Sequence, residues 1–220
     1  MTSAENTIYV FDMDGVILDS LENLSNCLIK AVEPFCQSNE QYKDFSKFVR
    51  DNPGLSRFEK ADFFLESLPN KSHIKGEKIK QQILDQYKSI SLNARISSKI
   101  DESTYALTEK IPSKNLVLLS NCDNDQLRVI AAHFGFHQIF RGEIIGTPPS
   151  KKARFEDLLE KTDYSAFVSI SDSETDAIIA RSLGVAFVFI QNFARDKALW
   201  LNRDEKRFQT IEEFISSIDQ

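Results

Sequence analysis

Four short apolar runs, each ending on polar residues, constrain the fold of this chain more than any other feature. Thr7-Ile8-Tyr9-Val10-Phe11 runs into Asp12, and Leu116-Val117-Leu118-Leu119 runs into Ser120 and Asn121. Ala166-Phe167-Val168-Ser169-Ile170 runs into Ser171 and Asp172, and Val185-Ala186-Phe187-Val188-Phe189-Ile190 runs into Gln191 and Asn192. Continuous β-prone runs of this length predict strands buried on both faces. Helical patterns lie between them, at residues 123–134, 151–161 and 174–183. Such alternation predicts right-handed crossovers and an α/β fold: a Rossmann-like parallel sheet with helices on both faces. Ligands of such sheets sit beyond the C-terminal strand ends. Three of the four runs stop there on residues suited to phosphate or metal chemistry.

Residues 20–92 read differently. They contain no convincing strand and several amphipathic helical stretches. One spans 55–68, with Leu55, Phe58, Ala61, Phe64, Leu65 and Leu68 at near-helical spacing. Ser56 and Glu59 form a capping-box pattern at its start, just after Pro53-Gly54. Another covers 79–87. The expected organisation is a discontinuous α/β core, 1–19 with 93–220, and a small all-α cap, 20–92, inserted after the first strand. A cap of this kind can act as a lid that excludes water from a site.

Composition narrows the function classes. The net charge of −6 argues against general nucleic-acid binding, which needs a basic face, though it leaves room for a local basic pocket. No apolar stretch is long enough to span a bilayer. Met1–Asn6 is polar and carries Glu5, unlike a secretory signal. Cys27, Cys36 and Cys122 are odd in number and lack metal-ligand spacing, as expected of reduced thiols in a cytoplasmic protein. The expected state is a monomer or homodimer, with no nucleic acid or membrane partner. His133 and His137 are four apart, but Gly135 between them ends the helix. Both read as structural or solvent-facing.

Several polar residues at the strand ends suggest chemistry. Asp12 and Asp14 are two apart, so in an extended chain both carboxylates face one side. Their repulsion would be relieved by a divalent cation, which prefers oxygen ligands. Gly15 permits a sharp exit from the strand. Ser120 and Asn121 offer a hydroxyl and backbone amides to phosphate oxygens, and Asp123 is placed to cap the next helix. Ser150 reads as a helix N-cap, which puts Lys151 and Lys152 in the first turn. That is the unfavourable end of the helix dipole for a cation, so a bound anion is the suggested compensation. Asp172 and Asp176 could complete a metal site, or Ser173 and Asp176 could be ordinary capping.

Taken together, these residues resemble the haloacid dehalogenase superfamily on its phosphatase side. Phe11-Asp12-Met13-Asp14-Gly15-Val16-Ile17-Leu18-Asp19-Ser20 resembles its first motif, Leu118-Leu119-Ser120-Asn121 the second, Lys151 or Lys152 the third, and Ser171-Asp172-Ser173-Glu174-Thr175-Asp176 the fourth. The helical insert is similar, by position and length, to the cap of the phosphoglycolate phosphatase and β-phosphoglucomutase branch. The resemblance implies a phosphatase acting on a small phosphorylated metabolite. Asp12 would be the nucleophile, forming an aspartyl-phosphate, and Asp14 the general acid and base. Ser120, Asn121 and Lys151 would bind the phosphoryl group. Mg2+ would be held by Asp12, the Asp14 carbonyl and Asp172, with Asp176 supporting.

Asp14 separates related chemistries, because the family's dehalogenases, phosphonate-cleaving enzymes and P-type ATPases lack this acid. Two departures stand out. Ser171 occupies a position that is usually Gly, and the Lys-Pro-x-Pro run of many relatives is missing around Lys151, with Lys152 as the second candidate. In capped relatives a loop between cap helices reaches the site. Residues 52–57 fit that description, which makes Arg57 a candidate contact to an anionic or hydroxylated substrate group. Two other readings compete: a sugar-phosphate mutase using the same two aspartates, and a non-catalytic module that binds a phospho-ligand.

Overall fold

A computed structural model of the protein describes residues 6–69, 73–162, 164–195, 197, 200 and 203–218. Among these residues six strands make one sheet: β1 (Thr7–Phe11), β2 (Leu116–Asp123), β3 (Glu143–Thr147), β4 (Ala166–Ser171), β5 (Ala186–Ile190) and β6 (Lys206–Phe208). All pairings are parallel, in the order β3-β2-β1-β4-β5-β6. The parallel α/β sheet with an all-α insertion after its first strand is as the sequence predicts. β1 is buried along its whole length, as expected of a central strand covered on both faces.

The chain divides into two compact units, Met1–Asp19 with Lys99–Gln220, and Ser20–Ser98. The second unit holds α1 (Leu21–Val32), α2 (Asn39–Asp51), α3 (Arg57–Glu66) and α4 (His73–Ile96). These helices close around Leu28, Val32, Phe45, Val49, Phe64 and Ile83. The Ser56–Glu59 capping box forms in both directions: the Glu59 N–H donates to Ser56 Oγ, and the Ser56 N–H donates to Glu59 Oε2. α4 runs past the 79–87 stretch in both directions, so the helical unit ends at Ser98 rather than at residue 92.

The α/β unit adds α5 (Leu107–Lys110), α6 (Asn124–Phe134), α7 (Phe136–Ile139), α8 (Lys151–Lys161), α9 (Glu174–Ser182) and α10 (Ile211–Ser216). Its strand order contains a reversal that positions the site. From β1 the chain moves outward to β2 and β3, then returns to β4 beside β1 and moves the other way to β5 and β6. Connections therefore leave β1 and β4 in opposite directions, which opens a crevice at their C-terminal ends. Phe11, the last residue of β1, is fully buried and meets the rings of Phe140 and Phe214 edge-on, each at 5.9 Å. Aromatic pairs of this edge-on geometry are favourable and pack the strand end where the crevice begins.

Three details differ from the sequence reading. β2 continues through Ser120 and Asn121 to Asp123, with a register irregularity against β3 after Leu119. Asp123 stands at the N-cap position of α6, but its side chain makes no capping bond. The edge strands β3 and β6 carry no clear strand pattern in the sequence. Among the described residues, no helix is long and apolar enough to cross a membrane.

Candidate active site

Asp12 leaves the sheet while still tied to it. Its N–H donates to Ile170 O at 2.9 Å, and the register Phe11↔Ile170 sets it level with Ser171 of β4. The chain then folds back on itself. The N–H groups of Ile17 and Leu18 both donate to Met13 O, at 3.0 and 2.9 Å, and the Gly15 N–H donates to Leu18 O at 2.9 Å. This turn needs a residue at φ +88°, which Gly15 supplies without steric cost. Met13 is fully buried between the half-buried Asp12 and Asp14, so alternation leaves both acids on the outer side of the turn.

Gly15 has a second reason to be glycine. A Cβ built there would lie 2.5 Å from Asp172 Oδ2. The Asp172 carboxylate is thus pressed against the backbone of the Asp12–Gly15 turn, where a side chain would displace it.

Lys151 completes the cluster. Ser150 caps α8 by accepting from the Ala153 N–H at 3.3 Å, which places Lys151 at the first helical residue. Its Nζ lies 3.0 Å from Asp12 Oδ1 and 2.6 Å from Asp176 Oδ2. It is only 8% exposed, whereas the Lys152 side chain is 51% exposed and pairs with Glu156 on its own helix. Asp12 Oδ1 also accepts from the Met13 N–H at 2.8 Å. The other oxygen, Oδ2, has Ser171 Oγ at 3.5 Å. Ser171 donates at 2.5 Å to Asp176 Oδ2, so that oxygen accepts from both Ser171 and Lys151. Asp176 is itself held by the cap of α9, where its N–H donates to Ser173 Oγ at 3.2 Å.

The charges in this cluster do not balance. One buried ammonium faces the carboxylates of Asp12, Asp172 and Asp176. Burial, with Asp176 and Asp14 adding, pushes the Asp12 carboxyl up to about 7 despite Lys151. Burial, with Asp12 and Asp176 adding, raises Asp172 well above the ordinary carboxylate range. Burial alone would lower Lys151, but Asp12 and Asp176 outweigh it and hold the ammonium above the usual lysine range. Buried carboxylates crowded this way favour either protonation or a bound cation.

Among the described residues, no three His, Cys, Asp or Glu side chains converge as a ready metal cage. The donor set still fits a hard divalent ion with a mixed shell. Asp12 and Asp172 offer carboxylates, the turn after Asp12 offers carbonyls, and such ions keep several waters. Asp176, by contrast, directs Oδ2 at Lys151 and Ser171.

The profile of the haloacid dehalogenase-like hydrolases matches residues 7–184, a span that includes every residue of this cluster. The chain belongs to the haloacid dehalogenase-like hydrolases. Solved structures share the fold of this hydrolase over nearly its whole length. A haloacid dehalogenase-like family protein from Streptococcus pneumoniae is 18% identical, with a TM-score of 0.71 over 98% of this chain and 99% of that one. A predicted phosphoglycolate phosphatase from Haemophilus somnus is 19% identical, with a TM-score of 0.67 over 100% of both. CbbY from Rhodobacter sphaeroides, solved in complex with phosphate, is 12% identical, with a TM-score of 0.69 over 98% and 99%. No curated protein matches the chain.

The other residues singled out from the sequence of this hydrolase are placed as follows. Ser120 is fully buried within β2 and accepts from the Cys122 N–H at 3.1 Å. Asn121 is exposed, and its carbonyl accepts from Thr147 Oγ1 at 3.0 Å. Arg57 is the first residue of α3 in the helical unit, with its guanidinium 4.6 Å above the Phe58 ring. Ser171, noticed in the sequence only as a departure from Gly, contacts two of the three carboxylates around Lys151. The strand pairing could have flagged it, since it stands one residue beyond the Phe11↔Ile170 pair.

Proposed function

We propose that this hydrolase cleaves a small phosphate monoester, a sugar phosphate or similar metabolite, through an aspartyl-phosphate on Asp12, with Mg2+ as cofactor. The observation that carries this reading is the charge imbalance at Asp12: three carboxylates, one lysine, and a crevice at the strand switch point. The carboxylates of Asp12 and Asp172 and the Asp14 carbonyl would hold the ion. When bound, it supplies positive charge against the phosphoryl oxygens and the nucleophile.

Asp12 attacks phosphorus in line with the ester oxygen, the P–O bond to the leaving group breaks, and Asp14 delivers a proton to the departing alkoxide. Asp14 then takes a proton from the water that attacks the aspartyl-phosphate, releasing inorganic phosphate and restoring Asp12. Lys151 keeps its charge at the nucleophile throughout, while Asp176 and Ser171 fix its position. The Ser120 hydroxyl and the Asn121 backbone amide donate to phosphoryl oxygens. Arg57 is the proposed contact to an anionic or hydroxylated substrate group. Retention of Asp14 supports ester chemistry, because carbon–halogen cleavage needs no proton donor there. The relatives described as a phosphoglycolate phosphatase and as phosphate-bound fit the same substrate class.

The test is release of phosphate from p-nitrophenyl phosphate and from a panel of metabolite phosphates. Activity is expected with Mg2+, lost on chelation with EDTA and restored by added Mg2+. No turnover of any panel member in saturating Mg2+ would overturn the proposal.

Gly15→Ala probes the turn separately. Its backbone cost is about 1–2 kcal/mol, because the new side chain must sit in the left-handed region. Displacement of Asp172 is expected to raise the Mg2+ concentration for half-maximal activity by about 10–100-fold. An unchanged Mg2+ requirement would show that Asp172 does not serve the ion.

A further inference from the structure

A second cavity, of about 410 Å³, is lined by Arg128, His137, Phe140, Arg141 and Ile144 and shares no residue with the Asp12 cluster. Its volume is in the range that holds small ligands. Local structure builds it. Gly135, at φ +70°, ends α6 and turns the chain directly into α7, so α6 and residues 136–141 fold back on each other. That reversal brings Arg128 of α6 to the same cavity as His137 and Arg141.

The cavity is anchored. Arg141 and Gly142 both donate their N–H groups to Ser113 O, at 3.0 and 3.2 Å, and a Cβ on Gly142 would lie 2.7 Å from Leu116 O. Phe140, 2% exposed, meets Phe11 and Phe136 edge-on at 5.9 and 5.8 Å and provides a fixed apolar wall.

The chemistry of the lining runs against the rest of the molecule. The chain carries 33 acidic and 27 basic residues. Yet two arginines and a histidine, all exposed, line this cavity, and no carboxylate does. Among the described residues, none of these three side chains makes a hydrogen bond or ion pair. Guanidinium groups collected without an acidic partner are a receptor for planar oxyanions, which they bind through paired N–H donors. The imidazole adds a further polar contact.

We propose that this cavity binds a small polyanion bearing two or more carboxylate or phosphate groups. Two arginines match two such groups, and Phe140 and Ile144 cover the carbon frame between them.

The experiment uses the Asp12→Asn protein without Mg2+, so that neither turnover nor metal chelation intrudes. Citrate and tripolyphosphate are titrated separately by calorimetry, each into Asp12→Asn and into Asp12→Asn carrying Arg128→Ser and Arg141→Ser. At least one probe is expected to bind with millimolar or tighter Kd, and the double serine substitution is expected to weaken it at least tenfold with the circular dichroism spectrum unchanged. Binding of citrate alone assigns a carboxylate ligand, and binding of tripolyphosphate alone a phosphate ligand. Absence of binding by both probes overturns the proposal, and so does weakening of less than tenfold, which would place the anion elsewhere.

Discussion

Replacing Lys151 with methionine is expected to lower folding stability by about 3–5 kcal/mol and turnover by about 10²–10³-fold. The stability loss follows from what the substitution leaves behind. Lys151 Nζ is 3.0 Å from Asp12 and 2.6 Å from Asp176, and all three side chains are at most 12% exposed. Removing the ammonium strands those carboxylates, with Asp172 close by, away from water and without a counter-charge. Breaking a buried ion pair on one side costs far more than the pair contributes when intact. Part of the loss should return when Mg2+ is added, because a cation would take over the neutralisation. Urea unfolding with and without Mg2+ measures both effects. Lys152→Met is the control: exposed and paired only with Glu156, it should change stability by no more than about 0.5 kcal/mol. Equal effects of the two substitutions would remove Lys151 from the proposed site.

Asp12→Asn is expected to abolish turnover, by at least about 10³-fold, while stability holds or rises. The amide has the same shape but cannot form an aspartyl-phosphate. Removing its charge also relieves the burial and carboxylate crowding that push Asp12 up to about 7. The hydrogen bond from the Met13 N–H can persist to the amide oxygen. Activity and unfolding should therefore move independently, which separates a lost nucleophile from a damaged fold. Deamidation would restore aspartate, so the mass of the purified variant must be verified before its rate is read. Substantial turnover by intact Asp12→Asn would show that another group attacks phosphorus.

The fold was legible where the chain is most buried. β1 and α8 span the residues their patterns predict, Thr7–Phe11 and Lys151–Lys161, because burial on both faces and a serine cap leave strong local signals. β3 and β6 were not legible. β3 has only Ile144 and Ile145 as large apolar residues, and β6 is three residues long with two of them basic. Edge strands carry weak patterns because one side has no partner and charge there discourages further pairing. Ser120 and Asn121 look like turn residues in the sequence, yet β2 continues through them.

The site divides along the same line. Sequence alone placed Asp12, Ser120, Asn121, Asp172 and the two lysines at strand ends or helix starts, since those positions follow from local periodicity and capping. The residues alone left Lys151 and Lys152 open, and only the family resemblance favoured Lys151. Adjacent helix positions differ in direction by about 100°, and only the packing of α8 decides which one turns inward. Nor could the sequence give Ser171 a role, which depends on the register between β1 and β4, or find the Arg128–Arg141 cavity, whose residues lie on segments reversed at Gly135. What sequence determined was the strand-end chemistry and the α/β architecture, because both are written in short-range patterns. Tertiary structure decided which charges face one another, because that depends on contacts between residues more than a hundred positions apart, such as Asp12 and Ser171.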